Sequence, residues 1–235
     1  MCERIGLAMA ETANHHWPAL ETDTIRVFRA PAEFIDSDHP SLVACAGRIR
    51  GQTAAATAVA IFEFVRDLPY EGDDFEDLAI FRASHVLAAG HGYCVSKASL
   101  GAALARAAGI PARIAFADVC NHLASPRLLR AFGTDTFAWH GYVEMWLGQR
   151  WVKASPTFDA ATCRRAGVAP LEFDGASDAL LQSFGSARTM NYVKEHGSFH
   201  DVPARFLSAE MLRLYPFARN HGISRHKAGR EQGEI

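Results

Sequence analysis

Gly92-Tyr93-Cys94-Val95-Ser96-Lys97-Ala98-Ser99-Leu100-Gly101-Ala102-Ala103-Leu104-Ala105-Arg106-Ala107-Ala108-Gly109-Ile110-Pro111 is the stretch on which the fold turns. From Cys94 onward it reads as a helix with two apolar stripes. Leu100, Leu104, Ala107 and Ala108 make one, and Cys94, Ala98, Ala102 and Ala105 the other. A helix apolar on more than one face and rich in small residues is packed closely on several sides. Gly109 suits the left-handed residue after a helix, and Pro111 blocks continuation. The helix is central, and Cys94 opens it.

Upstream, residues 48–68 read as one helix, with Ala58, Ile61, Phe62 and Val65 at i, i+3, i+4 and i+7, stopped by Pro69. Residues 24–29 alternate apolar and polar, the pattern of a short strand. Downstream, residues 113–117 read as a strand and 121–135 as a loop with a helical piece over 126–132. Residues 137–146 and 151–154 form a hairpin about Gly148-Gln149. Glu172-Phe173-Asp174-Gly175 suggests a strand ending in a turn, and 206–217 a helix. From Arg219 the polar, basic tail reads as disordered. This order predicts an α+β fold, a buried central helix packed on an antiparallel sheet.

The 235 residues carry 24 Lys plus Arg against 26 Asp plus Glu, a net charge of −2, so no strong field attracts nucleic acid or anionic membranes. A 49% hydrophobic and 21% charged composition is that of a soluble globular protein able to bury a sizeable core. No run approaches the roughly 18 apolar residues of a membrane span. Residues 1–10 carry Glu3 and Arg4 and no apolar stretch of signal-peptide length, so a cytoplasmic protein is expected. Five scattered cysteines then read as free thiols. Gly90-His91-Gly92 is too short and lacks the lysine of a phosphate loop, so no cofactor is expected. Cys120 and His122, taken with Cys94 and His140, lack the twice-repeated close ligand spacing of structural zinc, and no metal is expected.

The question is whether one thiol does chemistry. At a helix N-terminus a thiol meets unpaired N–H groups and the positive end of the helix dipole, which favour thiolate and depress its pKa. The same groups can stabilise an oxyanion. Otherwise Cys94 is a small buried hydrophobe. In Trp139-His140-Gly141-Tyr142-Val143-Glu144-Met145-Trp146, His140 begins a strand and is either a general base or a hydrogen-bonded structural residue.

Together these segments resemble the transglutaminase-like superfamily. The resemblance rests on Gly92-Tyr93-Cys94, on 103–113, on His140-Gly141-Tyr142-Val143-Glu144, on Gly148-Gln149-Arg150-Trp151-Val152 and on Phe64-Val65-Arg66-Asp67-Leu68-Pro69-Tyr70. It covers about 50–160. It implies a papain-like core with a Cys-His-Asp triad, Cys94 and His140 filling the first two places. The third departs, because Ser155-Pro156-Thr157 stands where Asp-Pro-Thr is usual. Asp159 could supply the carboxylate, Ser155 could orient the imidazole as a neutral partner, as Asn does in some triads, or catalysis has been lost. Without a carboxylate the thiolate fraction at neutral pH should fall.

His91, Tyr93, Asp118, His122 and Trp139 are candidate substrate-binding residues, and Phe173, Asp174 and Tyr192 candidate pocket formers. The expected organisation is an extension over 1–49, a core over 50–160, a second extension packed on it over 161–218, and a tail over 219–235. The expected function is a cysteine hydrolase or acyltransferase acting through a Cys94 thioester on a small or peptide-like substrate. The rivals are a non-catalytic binding module and the same dyad used for C–C cleavage or isomerisation.

Overall fold

The computed structural model describes residues 25–72, 74–120, 133–180 and 191–216. Among the described residues there are six α-helices and four strands, most of them set by local signals. Helix α1, Pro40–Arg48, has Pro40 in its first turn and His39 as its cap, the imidazole accepting from the Ser41 N–H. Helix α2, Ala54–Asp67, is capped by Thr53, whose hydroxyl accepts from the Ala56 N–H at 3.0 Å. The helix expected over 48–68 starts later, at Ala54, where Gly51 lies tight against Ala56 and Thr57, and helix α1 before it was not expected. The strand expected over 24–29 is instead a 3-10 turn, Val27–Arg29. Alternation over six residues cannot make a strand without a neighbour to pair with.

Helix α3, Ala83–Ala89, ends on Gly90 in the left-handed region (φ 71°). Helix α4, Cys94–Ala107, follows, and every residue from Val95 to Arg106 is buried. A helix covered all round is what its two apolar stripes predict. Strands β1 (Ala112–Cys120), β2 (Thr136–Leu147), β3 (Arg150–Ala154) and β4 (Asn191–Phe199) make an antiparallel sheet in the order β3-β2-β1-β4. The β2–β3 hairpin turns on Gly148 and Gln149, both at positive φ, the turn whose twist matches its strands. Helix α5 is Ala160–Ala166 and α6 is Ala204–Leu214. Residues 172–175 form no strand, although Gly175 does turn at φ 74°. The helical piece expected over 126–132, residue His122 and the tail from Arg219 lie outside the described residues.

The core is continuous from Phe34 and Leu42, through α4 and the inner sheet face, to Leu207 and Tyr215. Both flanking segments are therefore packed into one hydrophobic interior. No helix among the described residues is long and apolar enough to cross a membrane.

Candidate active site

The close approach of α4 to β2 begins at Gly141. A methyl group there would fall 2.9 Å from the Val95 Cα, so only glycine lets the strand lie on the first turn of the helix. Because Tyr93 offers no side-chain cap, the first N–H groups of α4 stay available. The backbone N–H groups of Gly141, Val95 and Cys94 itself favour thiolate on the Cys94 sulfur. Thiol and imidazole are thus carried on adjoining backbone, with Gly141 the residue after His140.

The thiol does not behave as its place at the helix start predicts. Burial pushes its pKa up to about 11, outweighing those N–H groups and the Lys97 ammonium, which pull the other way. Burial also drives His140 down to about 4. At neutral pH the pair is therefore thiol and neutral imidazole, not thiolate and imidazolium. Cys94 nonetheless keeps part of its surface open to solvent.

Ser155 holds the imidazole. Its Oγ lies 3.0 Å from His140 Nε2 and 2.9 Å from Thr157 Oγ1, all three residues being buried. In the tautomer that carries its hydrogen on Nε2, that nitrogen donates to Ser155 and Nδ1 is the basic nitrogen, and either hydroxyl can donate in the Ser155–Thr157 bond. Ring contact with Tyr192, at 6.1 Å between centroids, covers another side of the imidazole.

Asp159 is elsewhere engaged, which corrects its expected part as the partner of His140. It caps α5, accepting from the N–H groups of Ala161 and Thr162 and from the Thr162 hydroxyl, and it takes the Tyr70 N–H at 2.8 Å. Burial alone would raise its pKa, but these donors hold the carboxyl at about 2. The Tyr70 segment in turn bridges to Gly92 just ahead of Cys94. Asp159 therefore braces the loop that presents the thiol. The signal was present in the sequence, since Asp followed by Ala-Ala-Thr is a helix-cap pattern.

Lys97, one turn beyond Cys94, was not anticipated. It is fully buried, and its Nζ donates to the carbonyls of Arg66, Leu68 and Thr157 at 2.9, 2.7 and 2.7 Å. Burial lowers its pKa to about 7, against the pull of Asp159 and Asp67.

The other candidates divide. Tyr93 turns into the core against Phe75 and Phe81 and is 5% exposed, so its ring belongs to packing rather than to a binding surface. His91 lies in the turn between α3 and α4. Trp139 and Asp118 do come together, the Trp139 N–H donating to Asp118 Oδ1. Phe173 and Asp174 line a cavity of about 200 Å³ with Glu172, Ser177, Asp178 and Ala179, whereas Tyr192 stands at His140. Tyr70 and Tyr215, whose phenols are pushed up by burial and by Cys94, were not foreseen as neighbours of the thiol.

A helix opened by cysteine, packed on a strand that carries histidine, is the core of a transglutaminase-like fold. Residues 44–156 match the family model of the Transglutaminase-like superfamily, and over that span the fold is transglutaminase-like. Among solved structures, a "putative cysteine protease" from Cytophaga hutchinsonii aligns at 21% identity and a TM-score of 0.45. The alignment covers 77% of this chain but spans 57% of that one. No curated protein matches the chain.

Proposed function

We propose that this chain is a cysteine-dependent hydrolase or acyltransferase acting on an amide, ester or related carbonyl of a small or peptide-like substrate. The observation that carries the reading is the close approach of Gly141 to Val95 in the first turn of α4, which sets Cys94 beside the strand of His140, whose Nε2 lies 3.0 Å from Ser155 Oγ. Cys94 gives its proton to His140 Nδ1 as sulfur adds to the carbonyl carbon. His140 passes that proton to the leaving amine or alcohol as the carbon–heteroatom bond breaks. The N–H groups of Cys94 and Val95 receive the developing oxyanion, where one donor is worth about 3 kcal/mol. Water or an amine then resolves the thioester. Ser155, not Asp159, is the third member in this reading. It supplies direction without charge, as neutral members of other triads do. An intracellular setting suits a mechanism needing reduced thiol, and none of the four described cysteines is in a disulfide.

The neutral resting pair is the observation that favours the rival, a binding module that has lost turnover. Acylation by p-nitrophenyl acetate separates the two. The expected outcome is p-nitrophenol release with an acetyl group mapped to Cys94 by mass spectrometry, both lost in Cys94→Ala. Release that survives Cys94→Ala, or no adduct on Cys94, sinks the nucleophile reading and leaves the binding module.

A further inference from the structure

The carboxylate that His140 lacks is present on a second histidine. His196 Nε2 lies 2.6 Å from Asp118 Oδ1, the same oxygen that receives the Trp139 N–H at 3.1 Å. The His196 ring stacks on Trp139 with centroids 3.9 Å apart and planes 14° apart. A carboxylate can only accept, so the neutral ring carries its hydrogen on Nε2 and its lone pair on Nδ1. Among the described residues no hydrogen bond engages Nδ1, and the side chain is 11% exposed.

Three irregularities in the sheet build this arrangement. β2 spends two residues, Ala138 and Trp139, against Asp118 of β1, and Trp139 sits at φ 57°. β4 carries an extra residue, His196, between the partners of Phe116 and Ala117. A second shift in β4 follows between Asp118 and Val119. Bulges re-aim side chains, and a bulky residue at positive φ is strain that the surroundings must support.

The place of the pair follows from register. Phe116 pairs with Gly141, which lies under the first turn of α4 against Val95. Asp118 is two residues further on and on the same face, about 7 Å along the strand. Trp139 meets the Phe116 ring at 5.9 Å, so the stacked His196 is on that face too. The cluster thus lies past the start of α4, on the face of the sheet that this helix covers. Tyr215, whose phenol feels both Asp118 and Cys94, accepts the Ala138 N–H between them.

We infer that His196, oriented by Asp118, is a second general base, which activates the acceptor that resolves the Cys94 thioester. This rests on the acyl-enzyme reading above. The acceptor, water or an amine, loses a proton to His196 Nδ1 while its lone pair forms the new bond to the thioester carbon. The carbon–sulfur bond then breaks and its electron pair returns to Cys94. The sulfur takes a proton from water and His196 returns its own to water, so acyl-enzyme and acceptor give product and free thiol. His140 serves the first half of the cycle and His196 the second.

The test is the fraction of Cys94 carrying acetate during steady turnover of p-nitrophenyl acetate, read by intact mass after acid quench. His196→Gln is expected to raise that fraction and slow acetate release by roughly 10-fold or more, toward the 10²–10⁴ of a general base, with the acylation rate held within about 3-fold. Asp118→Asn, which keeps the side chain's shape, should move the same way by less. An unchanged or lower acyl fraction in both variants overturns the proposal. A parent enzyme that never acetylates Cys94 instead overturns the nucleophile reading on which it rests.

Discussion

His140 and His196 flank the same strand: Ala117 of β1 pairs with His140 on one side and with Glu195, the neighbour of His196, on the other. One imidazole is 5% exposed, bonded to a hydroxyl and driven to about 4 by burial. The other is partly open and bonded to a carboxylate at 2.6 Å. The difference teaches that a sheet can supply direction and charge to different rings. In the proposed cycle, direction without charge has His140 take a proton only as the reaction proceeds.

The largest effect that would break the comparison is removal of the buried ring. His140→Ala should lower p-nitrophenyl acetate turnover by roughly 10²–10⁴-fold, in the range of a lost general base, while His196→Gln leaves acylation standing. Equal losses of acylation in the two variants would erase the distinction. Next, Ser155→Asp would make His140 resemble His196. In the parent, Cys94 alkylation by iodoacetamide should climb about tenfold per pH unit from 6 to 9, because thiolate is the minor form far below its pKa. The aspartate should raise the His140 pKa, favour the ion pair, and flatten that climb with roughly 10-fold faster labelling at pH 7. A parallel curve in the variant would dismiss the charge argument.

Gly141→Ala should cost about 1–3 kcal/mol in urea unfolding, as overpacking does, and should slow Cys94 acylation because strand and helix must part. Full activity with unchanged stability would show that the approach at Gly141 is slack. The smallest catalytic effect is expected from Asp159→Ala. It should lose about 2 kcal/mol of stability as a cap with several donors, with no change in the pH profile of alkylation. A carboxyl held at about 2 stabilises fully above its unfolded pKa near 3.9 and loses that contribution as pH falls through 2. The stability gap between parent and Asp159→Ala should therefore close in that window, followed by thermal unfolding from pH 5 to 2.

The elements read well from sequence are those whose signals are local. Gly109 and Pro111 bracket α4, and Gly148-Gln149 sets the hairpin. Strand β4 escaped because its two bulges break the alternation that marks a strand, and the same bulges hid His196. The start of α2 read too early because the Thr53 cap that sets it is a single hydroxyl bond to Ala56. Ser155 and Asp159 were both legible as candidates. Choosing between them required knowing that four hydrogen bonds already claim Asp159, and three-dimensional accounting of that kind is not written in spacing.

Lys97 ties the carbonyls behind Leu68 and Thr157 to the helix that begins with Cys94. One amine thus fastens the start of the Cys94 helix to the Thr157–Ser155 chain that meets His140. Neither half can drift without dragging the other, so wear on this molecule should appear as abrupt failure of the whole apparatus rather than gradual misalignment.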